Sequence, residues 1–199
     1  PANMDGHPEN FINAGGSFNY NFTVNQRAGL YWYHPHADGT TGKQVFQGLA
    51  GLVIVNDSEE TALNLPSGNR ELPLVIQDKR ISAGSILYAP TMMDQMAGLM
   101  GQYILVNGVY APSHNVETAK YRVRILNGSN ARIYNLALSN GASFTVIGND
   151  GGLLATPQTV NSLIIAPGER ADLIIDFSSM GLNSELFLIS KTLDRKSVV

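Results

Sequence analysis

The residues best suited to metal chemistry are His34 and His36, which stand one residue apart at the end of an apolar, aromatic run at 30–33. Along an extended chain, side chains two residues apart point to the same side. Pro35 between them restricts the backbone, so both imidazoles are held in fixed directions. Imidazole suits copper, zinc, iron and nickel, so this pattern predicts two ligands of a metal site without choosing the metal. Two ligands do not complete such a site.

The elements that must position these histidines are two predicted strands and the loop between them. Residues 29–33 read as a strand that ends at the first histidine, and residues 52–55 read as a second, apolar strand. The glycine-rich stretch between them predicts a polar loop with one helical turn.

Asp38 offers a different metal chemistry. It makes the segment read H-P-H-A-D-G, which nearly matches the H-x-H-x-D-H zinc motif of the metallo-β-lactamase fold. Gly39 stands where that motif has its last histidine, and the fold needs long helices that this sequence does not predict. A zinc hydrolase is therefore kept as a weaker alternative.

Composition and charge narrow the function classes. The chain has 199 residues, a net charge of −3 and a pI of about 5.8, so it has no basic field for nucleic acid. It has no cysteine, which excludes a thiolate metal site and a disulfide framework. No run of 18 apolar residues predicts a membrane span. No signal-peptide pattern is visible, and because the chain begins at Pro1 we expect processing or truncation upstream.

Short apolar runs separated by Asn-Gly, Asp-Gly-Gly and Pro-Gly turns predict an all-β sandwich from Glu71 onward. Residues 18–24 alternate apolar and polar side chains and predict a further, half-buried strand. The predicted strands of the sandwich are at 72–77, 121–125, 134–138, 144–147, 163–166, 173–177 and 186–189.

Residues 91–101 are the only stretch from Glu71 onward that predicts a helix, and they carry Met92, Met93, Met96 and Met100. Thioethers favour Cu(I), but methionines at helical spacing more often pack in a core, which is the interpretation preferred here. Three arginines are expected to face solvent or to pair at a domain interface: Arg122, Arg124 and Arg132.

Several longer motifs resemble the multicopper oxidases, in particular the bacterial copper efflux oxidases, laccases and bilirubin oxidases. The first is Y-W-Y-H-P-H at 31–36, followed by T-G-K-Q-V-F-Q-G-L-A-G-L-V-I-V at 41–55, which looks like the end of the first cupredoxin domain. Motifs similar to the second domain of that family are P-L-V-I-Q-D-K at 73–79, L-V-N-G at 105–108, R-V-R-I-L-N-G-S-N-A-R at 122–132, D-G-G-L at 150–153 and P-G-E-R-A-D at 167–172.

The resemblance implies a fold and a domain division. The fold would be an all-β, cupredoxin-like Greek-key β-sandwich, with one partial and one nearly complete domain. Residues 1–57 would be the C-terminal part of domain one, residues 58–70 a linker, and residues 71–199 domain two.

The resemblance also implies roles for individual residues. His34 and His36 would each bind one copper of the type-3 pair in a trinuclear cluster. Asp5 aligns with an acidic residue that assists proton delivery to oxygen, although an aspartate before glycine is equally suited to capping a turn. The type-1 blue copper site needs a cysteine, so this chain cannot hold it. That site and the remaining ligands would lie outside this chain, many of them in a third cupredoxin domain.

The expected parent protein is thus a multicopper oxidase that oxidises phenolic or metal-ion substrates and reduces O2 to water. This chain alone would be inactive. Its partners would be O2, a small reducing substrate and the third cupredoxin domain, and its location periplasmic or secreted. A non-catalytic copper-binding or structural β-sandwich module is the main alternative.

Overall fold

The computed structural model describes residues 2–193, and its regular structure is mostly β. The three α-helices are α1 (Thr41–Phe46), α2 (Ser58–Ala62) and α3 (Met92–Ala97), and short 3-10 turns span Ala2–Met4 and Gly68–Arg70. The strands are β1 (Gly29–Tyr33), β2 (Gly51–Val55), β3 (Glu71–Lys79), β4 (Ile81–Ser82), β5 (Ser85–Ile86), β6 (Tyr103–Val106), β7 (Val109–Tyr110), β8 (Lys120–Asn127), β9 (Tyr134–Leu138), β10 (Phe144–Asn149), β11 (Gly152–Val160), β12 (Leu163–Ile165), β13 (Arg170–Asp176) and β14 (Leu188–Ser190). The all-β prediction is confirmed.

Two sheets form the sandwich. The larger has seven strands in the order β11-β10-β13-β8-β3-β6-β7, and the smaller has three in the order β12-β9-β14. The pairing of β3 with β8 is parallel, whereas the other pairs are antiparallel. One apolar cluster, built from residues of both sheets, forms the core: Ile76, Tyr121, Val123, Ile125, Tyr134, Leu136, Leu138, Phe144, Val146, Ile165, Ala171, Leu173 and Ile175.

Strand β8 shows how the sequence builds this core. Tyr121, Val123 and Ile125 alternate along it and belong to the apolar cluster. The intervening Arg122 and Arg124 are also buried, so the opposite face of the large sheet is covered as well. The expectation that these arginines face solvent is wrong, and the alternative expectation, that they are paired, is correct.

The segment at 18–24 is not a strand, and this prediction is wrong. Phe18, Tyr20, Phe22 and Val24 are 47–51% exposed, and within residues 2–193 no strand pairs with this segment. Alternation predicts which side chains share a face, but a strand forms only when a neighbouring backbone accepts and donates its hydrogen bonds.

Helix α3 forms as predicted, but its methionines do not pack in a core. Thr91 and Asp94 make a capping box at its start, and Asp94 also binds Arg80. Met92, Met93, Met96 and Met100 are 43–79% exposed. The helix has only six residues and is fixed to the molecule by polar contacts, so it buries no apolar face.

The segment predicted as a linker, 58–70, holds defined structure. Asp57 caps α2 by accepting the backbone N–H of Glu60, and it also accepts the N–H of Ala28 at 2.8 Å. The Glu60 side chain is buried against the large sheet, where it pairs with Arg122 and Arg124. This connection is therefore packed onto the sandwich. The predicted second domain extends to residue 199, and its last six residues, 194–199, lie outside the described residues.

Candidate metal centre

The histidine pair follows directly from the end of β1. Strand β1 pairs antiparallel with β2, so that Trp32 lies opposite Leu52 and Tyr33 opposite Gly51. The strand, the helical turn α1 and the second strand occur in the predicted order. His34 is partly buried and His36 is exposed, which leaves the pair open on one side.

The two imidazoles lie side by side. Their ring centroids are 4.7 Å apart, with 37° between the ring planes. Nδ1 of His34 lies 3.0 Å from the carbonyl oxygen of Pro35. A carbonyl oxygen only accepts, so this contact is a hydrogen bond in the tautomer with the proton on Nδ1, and in that tautomer Nε2 has the lone pair that a metal needs. A hydrogen bond of this kind fixes the tautomer and ring orientation of metal-binding histidines. The donor set suits one part of a copper site.

The loop after the histidines is fixed to the sandwich through α1. Phe46 is fully buried, and the carbonyl oxygen of Val45 lies 3.3 Å from Nζ of Lys79 and 3.4 Å from Nε2 of Gln77. Asn130 donates to the carbonyl oxygen of Gly42 at 2.7 Å. The histidine loop is therefore packed against the sandwich and hydrogen-bonded to its side chains.

Asp5 lies in an exposed turn, and its carboxylate faces solvent. Gly6 after it has a φ of +75°, as an Asp-Gly turn requires. The turn is joined to the histidine loop by one hydrogen bond, from the N–H of Asp38 to the carbonyl oxygen of Pro8 at 3.1 Å. This contact connects the segment that carries Asp5 to the residue two positions after His36.

The histidine pair does not form a complete metal site by itself. Among residues 2–193, no group of three or more histidine or carboxylate side chains could hold a metal ion. Asp38 is exposed, and helices α1 and α3, the longest ones described, have six residues each. Neither the third histidine nor the long helices that a zinc hydrolase would need occur in this part of the chain.

A buried ion network on the large sheet was predicted only in part: pairing of Arg122 and Arg124 was one expectation, but their burial was not expected. Arg122 binds Asp172 through Nε at 2.9 Å and Nη2 at 2.6 Å, and it also pairs with Glu60. Arg124 binds Glu60 at 2.8 Å and Glu71 at 2.5 Å. The signal in the sequence was the R-V-R alternation in a strand whose two faces both had to be covered.

Comparison with known proteins assigns the family. Two family models, both described as multicopper oxidase, match residues 1–60 and 80–192. The second match alone covers more than half of the chain. The chain belongs to the multicopper oxidase family. Copper is thus the cofactor that its family implies, and the sandwich is cupredoxin-like.

Three curated proteins are similar to this chain over most of its length. The multicopper oxidase mco of Staphylococcus haemolyticus is 41% identical over 89% of the chain and 39% of its own length. The laccase of Bacillus subtilis is 39% identical over 90% of the chain and 38% of its own length. The cell division protein FtsP of Pectobacterium atrosepticum is 38% identical over 89% of the chain and 38% of its own length.

A solved multicopper oxidase structure is also similar to this chain. The McoA multicopper oxidase of the hyperthermophile Aquifex aeolicus has a TM-score of 0.85 and 45% identity over 93% of this chain and 42% of that one. The chain therefore spans about two fifths of the length of these relatives. Within residues 2–193, no helix has the length and apolar character to cross a membrane.

Proposed function

We propose that this chain supplies two imidazole ligands to the type-3 copper pair of a multicopper oxidase. The observation that carries the proposal is the side-by-side His34–His36 pair, in which Nδ1 of His34, and not Nε2, contacts the carbonyl oxygen of Pro35. Its place within the segment that matches the family model supports the same assignment.

The proposed activity of the whole protein is oxidation of phenolic or metal-ion substrates with reduction of O2 to water. Copper, when bound, supplies the one-electron redox chemistry. His34 and His36 would bind and orient the metal, and the carboxylate of Asp5 would assist proton delivery. The other ligands, including the cysteine of a type-1 site, would come from outside these residues.

The remaining proposals concern organisation and location. The division into 1–57, 58–70 and 71–199 is supported by the family matches at 1–60 and 80–192, because the unmatched stretch between them, 61–79, contains most of the connection. The partners would be O2, a small reducing substrate and a third cupredoxin domain. A periplasmic or secreted location is proposed from the family resemblance.

The first test removes both imidazoles. We expect His34→Ala with His36→Ala to weaken Cu(II) binding to the 199-residue chain at least about tenfold, since even loss of an outer-shell partner costs that much. The measurement is calorimetric titration with Cu(II). The matched control is His7→Ala with His114→Ala, because these are the chain's other two histidines and both are exposed. Equal affinity for the two double variants would overturn the assignment.

The second candidate function is a non-catalytic β-sandwich module. It is favoured by the similarity to FtsP, whose name describes a cell division protein and not an oxidase. Oxygen uptake by the full-length protein with a phenolic substrate separates the two. Uptake that depends on His34 and His36 supports the oxidase, and its absence in copper-loaded protein supports the module.

A further inference from the structure

Trp32 is the side chain that connects the histidine pair to the sandwich. Its indole stacks on the imidazole of His34, with ring centroids 4.2 Å apart and 28° between the planes. The two residues are two positions apart, so they project to the same side of the chain at the end of β1. A stacked aromatic ring limits the rotation of the imidazole that it touches.

The Trp32 indole in turn lies against a tight turn of the sandwich. The N–H of Glu169 donates to the carbonyl oxygen of Ala166 at 3.0 Å, which closes a turn with Pro167 and Gly168 at its centre. Gly168 has a φ of +81°, and a Cβ at this position would lie 3.3 Å from Cζ2 of Trp32. Proline followed by a glycine with positive φ is the sequence of a type II turn. The turn therefore presents bare backbone to the indole.

Arg170 fastens the same turn to the histidine strand. Its Nε donates to the carbonyl oxygen of Leu30 at 3.1 Å, and its Nη1 donates to that of Gly168 at 3.0 Å. Its Nη2 donates to the carbonyl oxygen of Asp150 at 3.1 Å. The guanidinium is mostly buried and spans three pieces of backbone. It sets the distance between β1, two residues before Trp32, and the turn on which the indole rests.

We propose that the 166–170 turn of the sandwich is the positioning element for His34, acting through Trp32. Arg170 and Trp32 are positioning residues, and Gly168 leaves room for the indole because it has no Cβ. The inference rests on the proposed copper ligation. It adds that the sandwich orients His34, a ligand carried by the segment before it. Trp32 stacks on His34, and His36 is exposed, so we expect the effect to be larger at His34 than at His36.

The test compares two glycines that share a backbone conformation. Gly168 has a φ of +81° and lies against Trp32, whereas Gly141 has a φ of +76° and has nothing within 4 Å of its added Cβ. Gly168→Ala and Gly141→Ala therefore carry a similar backbone strain, but only the first presses on the indole. Trp32 is the only tryptophan of the chain, so its fluorescence reports the contact without labelling.

Imidazole proton resonances, Trp32 emission and Cu(II) affinity are measured on the 199-residue chain at one pH. We expect Gly168→Ala to move the imidazole proton resonances of His34 more than those of His36, because the ring current of Trp32 is displaced. The variant should also change Trp32 emission and raise the apparent Kd for Cu(II) roughly tenfold, as for loss of an outer-shell support. Gly141→Ala should leave all three readouts unchanged.

A second pair of variants guards against a general loss of structure. Trp32→Phe keeps an aromatic ring and should largely preserve the ring-current shift and Cu(II) affinity, whereas Trp32→Leu should lose both. Identical behaviour of Gly168→Ala and Gly141→Ala, or of Trp32→Phe and Trp32→Leu, would overturn the proposal.

Cu(II) broadening of the imidazole resonances tests the proposed ligation separately from the positioning role. If copper ligation itself is wrong, Cu(II) will broaden neither imidazole in the unsubstituted chain. If only the positioning role is wrong, Cu(II) will broaden both imidazoles, and the two glycine variants will bind it with equal affinity.

Discussion

Lys79 carries a buried ammonium group at the junction between the sandwich and the histidine loop. It is 1% exposed, donates to the carbonyl oxygen of Val45 at 3.3 Å and lies 5.1 Å from the centroid of Phe46. Burial lowers its pKa from 10.5 to about 8, and the neighbouring Asp78 opposes that shift. Since the folded pKa is the lower one, the folded state loses this proton first as the pH rises.

This gives a pH prediction. Between pH 8 and about 9.5, the unfolded chain holds the Lys79 proton while the folded chain releases it, so the free energy of unfolding should rise by up to about 1.4 kcal/mol per pH unit from this group. Lys79→Met should remove that rise, and Lys43→Met, at an exposed lysine in α1, should keep it. Urea unfolding at several pH values measures both. Parallel pH profiles for the two variants would contradict the prediction.

Single residues were predicted from the sequence where their chemistry does not depend on distant neighbours. His34 and His36 could be chosen because spacing alone puts them on one side of the chain. The exposure of Met92 and Met96 and the burial of Arg122 and Arg124 could not be predicted, because both depend on which element covers the helix or strand. Trp32 was noticed beside the ligands, but its contact with Gly168 joins positions 136 residues apart.

The connection at 58–70 behaves as a structural element and not as a spacer. Glu60 on α2 is 6% exposed and pairs with two arginines that are themselves almost fully buried. Asp172 and Glu71 complete the network, so that three carboxylates surround two guanidinium groups. Such a network fixes geometry, because each guanidinium contacts carboxylates from more than one element, and removing one of them leaves buried charge less well compensated.

The adjacent residue offers a matched test of this element. We expect Glu60→Gln to destabilise the chain by about 1.5–3 kcal/mol, because Arg122 and Arg124 each lose a charged hydrogen-bond partner while keeping Asp172 and Glu71. Glu59→Gln should cost less than about 1 kcal/mol, since Glu59 pairs with Arg27 on the surface at 3.6 Å, with both side chains mostly exposed. Urea unfolding measures both variants. Similar midpoints would show that the buried ion pairs of Glu60 contribute no more to stability than the surface pair of Glu59.

Strands of the sandwich were predicted well because their alternation and turn signals agree with pairing that the chain itself supplies. Tyr121–Ile125 and the segments at 134–138 and 144–147 each find partners among the described strands. The run at 18–24 has equally clean alternation but no such partner. The connection was underestimated because a polar, turn-rich composition does not reveal that one of its carboxylates is buried.

The whole molecule exposes an apolar stretch that a compact domain would normally cover. Phe18 and Tyr20 touch edge to face, with ring centroids 4.8 Å apart, yet both remain about half exposed, as does Phe22. Contiguous apolar surface of this kind favours association between molecules, and an extended, unpaired backbone adds free hydrogen-bonding groups.

Self-association should therefore depend on this segment. We expect Phe18→Lys with Phe22→Lys to lower the concentration-dependent association of the chain in sedimentation experiments, without changing the free energy of unfolding. Phe187→Lys is the control, because Phe187 is 59% exposed but lies outside the segment. Association that persists in the double variant, or that falls equally in the control, would assign it to another surface.

The position of the methionines has a chemical consequence for a protein that is proposed to work with oxygen. None of the six methionines belongs to the buried core, and the four around α3 are in contact with water. Oxidation to the sulfoxide makes a thioether polar, which disrupts a core but costs little at the surface. The chain has no cysteine either, so four of its six oxidisable sulfur atoms lie at the surface, where oxidation costs little. Its interior can thus withstand an oxidative dose that would unfold a domain built around buried sulfur.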